Sequence, residues 1–162
     1  MRFCFLVFIL FTLGSCAKKD ITFDVTYEVN AEEFRLENNQ LVIEDYPLFL
    51  QNNVEKNYSK ISLIKEVQLV EVCSNTSFSV NSIEILNKTT WETLNGQIKN
   101  KDQNCVSVID SEKNLKEIFK DNKLGLILTL SKTQNVFPKT LRLKFRFKGK
   151  HEKTNIQYRI VA

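Results

Sequence analysis

An alternation of apolar and polar residues around residue 145 constrains the fold of this chain more than any other feature of its sequence. The apolar members are Leu141, Leu143, Phe145 and Phe147, and the cations between them are Arg142, Lys144, Arg146 and Lys148. Side chains two residues apart lie on the same face of a β-strand, so the pattern predicts a half-buried strand with a cationic outer face. Residues 21–29 alternate in the same way, with Asp24 and Glu28 on the polar side.

Further segments of the chain predict the remaining strands. Residues that favour half-buried pleated surfaces are concentrated at 40–43, 59–73, 78–86, 106–109 and 124–130, and residues 140–161 predict a C-terminal hairpin. The alternation breaks at Lys65 and Glu71, and it changes parity between Val80 and Ile83. We therefore expect a bulge or a corner in each of these two strands.

Two segments do not fit a strand. Leu115, Ile118 and Phe119 have the spacing of one apolar helix face, which predicts a short helix capped at residues 110–111. Residues 88–104 predict a long, mostly polar loop. Together these patterns predict an all-β fold, a two-layer antiparallel immunoglobulin-like sandwich with one short connecting helix. A small barrel is the alternative.

The amino-terminal segment has the pattern of an export signal. Arg2 precedes an apolar run over residues 3–13, which has the length of a signal-peptide core. The run ends in Leu13, Gly14, Ser15 and Cys16. This lipobox resembles that of bacterial lipoproteins, and the whole chain is similar in pattern to Bacteroidota lipoproteins of unassigned function. The resemblance implies cleavage before Cys16, lipid on its thiol and an anchor at the outer membrane of the cell envelope. The alternative is an ordinary secretory signal that leaves a soluble product.

The lipobox divides the chain into a signal peptide at 1–15, a lipidated tether at 16–20 and a single domain at 21–162. Cys73 and Cys105 then remain as an even pair in a compartment where disulfides persist. We expect them to be bonded, and two buried free thiols are the alternative. His151 is the only histidine and no Cys-x-x-Cys spacing occurs, so we expect no metal site and no cofactor.

Two surface features are candidates for ligand binding. The first is the row of cations formed by Arg142, Lys144, Arg146 and Lys148. This row can hold an anionic glycan, lipopolysaccharide or an acidic protein. Alternatively, its cations can pair with acids of the strand that contains Asp24, and we favour this second interpretation. The second is Trp91, the only tryptophan, either as an exposed aromatic contact for sugar or protein or as a plug at the core edge.

The sequence carries no signature of catalysis. It lacks a nucleophile motif such as Gly-x-Ser-x-Gly and a glycine loop that cradles phosphate. Nucleic-acid binding is not expected, because an exported protein rarely meets nucleic acid and no DNA- or RNA-binding motif occurs. We expect a non-catalytic binding or scaffold module, anchored to the membrane, whose partner is an envelope protein or glycan. An inhibitor or immunity lipoprotein against a secreted toxin or hydrolase is one alternative, and a hydrolase is another.

Overall fold

The computed structural model describes residues 19–48, 64–87, 89–94, 97–100, 103–109, 113–131 and 137–151. Its ten strands are β1 (Lys19–Asn30), β2 (Phe34–Glu37), β3 (Gln40–Pro47), β4 (Ile64–Ser74), β5 (Val80–Asn87), β6 (Thr90–Thr93), β7 (Gln97–Asn100), β8 (Cys105–Ile109), β9 (Lys123–Leu130) and β10 (Thr140–His151). One α-helix, α1 (Lys116–Asp121), precedes β9, and a 3-10 turn at Ala31–Glu33 follows β1. No helix in these ranges is long and apolar enough to cross a membrane.

The strands form two antiparallel sheets of five. Sheet A has the order β1-β10-β4-β8-β7, and sheet B has the order β2-β3-β9-β5-β6. Over the described residues, this arrangement confirms the predicted all-β, two-layer antiparallel sandwich with one short helix. Successive side chains of a strand point to opposite faces of its sheet, so one face of each sheet contributes its apolar residues to a shared core.

The core lies between the two sheets and is closed at one point by α1. Fully buried side chains of β10 and β4 in sheet A meet those of β5 and β9 in sheet B. Ile118 and Phe119 are the buried residues of α1, as the helical spacing predicts. The ring of Phe119 contacts those of Phe145 and Phe147 edge-on, at centroid distances of 5.0 Å in both cases.

Breaks in the sequence alternation correspond to irregularities in strand pairing. In the pairing of β4 with β10, the register skips Lys65 and Val70, so each of these residues is an extra residue on β4. In the pairing of β5 with β9, the register skips Asn81. The predicted bulges in both strands are therefore confirmed. A bulge shifts the parity of the residues that follow it, which keeps the apolar residues on the core side.

Three local predictions need correction or completion. The predicted polar loop at 88–104 is wrong, because it contains the short strands β6 and β7. The predicted cap is also wrong, because α1 begins at Lys116, where the backbone N–H donates to Oδ1 of Asn114. In the C-terminal hairpin, only the first strand falls within the described residues, and it pairs with β1 and β4. Its expected second strand, with Ile156, Tyr158 and Ile160, lies outside them.

Strand β2 was not predicted from the sequence. It forms a tight hairpin with β3 through Asn38 and Asn39, whose φ angles are 46° and 66°. Two consecutive residues with positive φ give a two-residue turn whose twist matches that of the strands. Asparagine tolerates this conformation better than most residues, so the Asn-Asn pair is the signal that sequence reading missed.

Candidate functional site

The cationic row lies on the outer face of sheet A. Phe145 and Phe147 are fully buried on the core side of β10, so the intervening residues point away from the core. Of these, Arg142 is exposed, and Lys144, Arg146 and Lys148 are partly buried among neighbouring side chains. Strands β1 and β4 flank β10 on its two sides, so the row occupies the middle of a three-strand surface.

Arg146 pairs with an acid of β1. Asp24 is directly opposite Arg146 in the antiparallel register. Nε and one terminal nitrogen of the guanidinium donate to the two carboxylate oxygens at 2.9 Å and 3.0 Å, a bidentate geometry. The hydrogen bonding from Arg146 lowers the pKa of Asp24 from its ordinary value, because it stabilises the ionised carboxylate.

The two lysines of the row pair with acids of β4 rather than β1. Nζ of Lys144 lies 2.7 Å from Oε1 of Glu71, and Nζ of Lys148 lies 3.2 Å from Oε1 of Glu66. Both pairs are directly opposite each other across the strands. The pairing predicted from the sequence involves acids of β1 only; β4 supplies the other acids because it is the second neighbour of β10.

Arg142 differs from the rest of the row. It is opposite Glu28 in the register of β1 with β10, and it is exposed. Among the described residues, no ion pair joins Arg142 to an acid. The row is therefore largely compensated by carboxylates, with Arg142 at one end as its least constrained cation.

A depression of about 540 Å³ opens on this face. Its lining combines the ion pair of Asp24 and Arg146 with Glu71, Gln68 and Ser107. These side chains place hydrogen-bond donors and acceptors side by side. An anionic ligand would have to displace carboxylates that already hold the cations. A neutral polar ligand that both donates and accepts, such as a glycan or a peptide backbone, fits this mixture better.

Trp91 lies on the other sheet, away from the cationic row. It is on β6, opposite Leu86 of β5, and its side chain is partly buried. Its Cη2 atom lies 3.1 Å from the position that a Cβ on Gly125 would occupy. The indole therefore packs over a glycine on β9 and shields this part of sheet B from solvent. The two surface features predicted from the sequence do not form one site.

Cys73 and Cys105 form a disulfide, as predicted. They are directly opposite each other on β4 and β8, and their Cα atoms are 4.1 Å apart. The bond therefore joins two strands next to the depression. Cys16, the predicted lipidation site, lies outside the described residues. Within the described ranges, no group of three or more His, Cys, Asp or Glu side chains is arranged to hold a metal ion.

No protein-family model matches the chain, and neither a curated protein nor a solved structure does so significantly.

Proposed function

We propose that this protein is a lipid-anchored lipoprotein of the bacterial cell envelope that acts as a non-catalytic binding or scaffold module. The observation that carries the compartment is the bonded pair of Cys73 and Cys105. Disulfides persist in the periplasm and at the cell surface and are rare in the cytosol. The export signal and the lipobox at Cys16 that the sequence predicts are in keeping with the same compartment.

The outer face of sheet A supports the binding role. The depression between Asp24 and Ser107 is open to solvent, and its lining combines paired charges and neutral polar groups with three aliphatic residues, Val70, Val108 and Ile109. The charged pairs hold their partners across neighbouring strands, so the surface is preorganised by the sheet. A preorganised polar surface suits recognition of a glycan or protein, because few side chains must be ordered on binding.

The anchor is tested by labelling with radioactive palmitate in a bacterial host. We expect label on the wild-type protein and none on a Cys16→Ser variant, because the thiol is the lipid acceptor. A second variant, Cys4→Ser, is the matched control and should keep the label, since Cys4 leaves with the signal. An unlabelled wild-type protein would contradict the proposal. Protease treatment of intact cells then distinguishes a surface-facing domain from a periplasmic one.

The binding face is tested by filling the depression. Ser107→Arg places a long side chain in it, whereas Ser82→Arg makes the same change at a partly buried position on sheet B and serves as the control. The assay is binding of the detergent-purified full chain to immobilised neutral glycans, the ligand class that suits the mixed donors and acceptors of this face. We expect binding that Ser107→Arg removes and Ser82→Arg retains. Equal effects of the two variants would rule out this face as the glycan site.

A further inference from the structure

Strand β1 is the longest edge strand among the described residues and lies at one edge of sheet A. It is 12 residues long, whereas the edge strands β2, β6 and β7 have four residues each. Within the part of the chain that the structure describes, β1 has a neighbouring strand on one side only, namely β10. A long edge strand offers a row of backbone groups to which another strand can pair.

The register shows which backbone groups face the open side. The N–H of Ala31 donates to the carbonyl of Lys139 at 2.9 Å, so odd-numbered residues of β1 bond toward β10. In an antiparallel strand, successive residues direct their N–H and C=O groups to opposite sides. The groups of Asp20, Thr22, Asp24 and Thr26 therefore face away from β10.

The carbonyl of Glu28 marks the end of this open stretch. It accepts a hydrogen bond of 2.9 Å from the hydroxyl of Tyr46, which belongs to β3 in the other sheet. That bond agrees with the assignment of even-numbered residues to the open side. The available edge thus extends from Asp20 to Thr26.

Within the described residues, this edge carries acids as its only protection against pairing, and a basic strand would neutralise them. Proteins commonly protect an edge strand with proline, charged side chains or a bulge. Residues 20–30 contain no proline and no lysine, and the register of β1 with β10 is uninterrupted. On the core side, Ile21 and Val25 are only partly buried, whereas Phe145 on the next strand is fully buried. An added strand would cover these two side chains further.

The side chains of the edge indicate the chemistry of the added strand. On the outer face β1 presents Asp20, Thr22, Asp24, Thr26 and Glu28, which include three acids and no base. Asp24 is already paired with Arg146, whereas no ion pair among the described residues involves Asp20 or Glu28. A second copy of β1 paired antiparallel would bring acidic rows together, and like charges opposite each other are destabilising. A strand with basic residues on the outer face and apolar residues on the core side is complementary to β1. Strand β10, which already pairs with β1, has this pattern.

We propose that the open edge of β1 binds an extended basic segment of a partner protein by strand addition. The inference deepens the proposed binding role by naming a partner class, and it does not depend on the lipid anchor. Backbone hydrogen bonds from Asp20 to Thr26 supply affinity, and the acidic outer face selects cations at alternate positions.

The probe is a blocked seven-residue peptide of alternating Lys and Val, which matches the length of the open edge. Its binding to the full chain in mild detergent is measured by fluorescence polarisation. Two matched peptides are controls: one has Glu in place of Lys, and the other carries N-methyl groups on the Lys residues, whose N–H groups face β1 when Lys lies opposite the acids in an antiparallel register. We expect both controls to bind at least tenfold more weakly. Equal binding of the N-methylated peptide would overturn strand addition, because it has the same charge and lacks the backbone donors.

Hydrogen exchange locates the interaction. The amides of Thr22 and Thr26 should exchange rapidly in the free protein and at least tenfold more slowly with saturating peptide. Slow exchange in the free protein would overturn the proposal, because the edge would then be occupied already. Binding without slowed exchange would also overturn it.

A pair of substitutions at one position separates the backbone from the side chain. Thr22→Pro removes the outward N–H at an edge position that tolerates proline, while Thr22→Val keeps the N–H and changes only the side chain. We expect Thr22→Pro to weaken peptide binding by about two- to tenfold, which corresponds to one backbone hydrogen bond. Thr22→Val should bind like the wild type. If Thr22→Pro bound the peptide with unchanged affinity, the assigned direction of the edge would be wrong.

Discussion

Breaking the bond between Cys73 and Cys105 should destabilise this protein strongly. The bond closes a loop with a sequence separation of 32 residues. In the chain-entropy model, a loop of this length stabilises the folded state by about 4 kcal/mol, because it restricts the unfolded chain. Cys73 is 5% exposed, so replacing it also removes buried sulfur contacts in the sheet.

The assay is urea unfolding of the full chain in detergent, with and without a reductant. A slope of about 2 kcal/mol per molar urea is typical for a protein of this size, so reduction should lower the midpoint by roughly 2 M. The double variant Cys73→Ala/Cys105→Ala should show a similar loss without reductant, and adding reductant should not change it further. That variant is the control for effects of the reductant on anything other than this bond.

A loss smaller than about 1 kcal/mol on reduction would refute the reasoning, because the cross-link would then contribute little of the loop entropy assigned to it. If the double variant lost much more stability than the reduced wild type, packing of the sulfur atoms would be the larger contribution. The two results are distinguishable because reduction leaves both sulfur atoms in place.

Three further predictions use the same unfolding assay. Gly125→Ala should lower the free energy of unfolding by about 1 to 3 kcal/mol, because a Cβ there would lie 2.6 Å from the Cβ of Leu86, which cannot move without its backbone. An unchanged urea midpoint would contradict this contact. Tyr27→Phe should leave stability unchanged or raise it by about 1 kcal/mol, since the buried hydroxyl of Tyr27 has no hydrogen-bond partner among the described residues; a clear loss would reveal one. The pKa of Asp24 is lower in the folded protein than in the unfolded chain, so its pair with Arg146 stabilises the fold at any pH above the ordinary aspartate pKa. This stabilisation is lost as the pH falls through the lowered pKa of the folded state. Because the pair is partly exposed, Asp24→Asn should lower the free energy of unfolding by less than about 1 kcal/mol at neutral pH. It should also reduce the dependence of stability on pH below about 4. If the variant and the wild type lost stability equally as the pH falls, this would argue against the pair.

The strand pattern of the chain could be predicted because it depends on local alternation. The outward direction of Arg146 follows from its position between two buried phenylalanines, and the bulge near Lys65 follows from a break in the same alternation. The short strands β6 and β7 could not be predicted in this way. Four-residue strands with mostly polar residues have little periodicity to detect, and they are held in place by the longer strands beside them.

The candidate site was less predictable than the fold. The four cations were identified as one row from the sequence, but their partners were not. Lys144 and Lys148 pair with Glu71 and Glu66 because β4 is adjacent to β10, and the order of strands in a sheet is a property of the whole fold. Trp91 was predicted as either an exposed aromatic contact or a plug at the core edge, and the structure places it partly buried on the other sheet over Gly125.

The sequence by itself therefore determined which residues face the core and where two strands are irregular, because both follow from side-chain periodicity. It named Cys73 and Cys105 as candidates for a bond, on the expectation that Cys4 and Cys16 belong to a signal peptide and a lipid anchor. Only the tertiary structure decided that these two cysteines are bonded, which strands are neighbours, which charges meet and which strands form the edges of the described sheets. Such contacts join residues distant in the sequence, such as Asp24 and Arg146, and the packing of two apolar faces selects them from many pairings that local pattern allows equally.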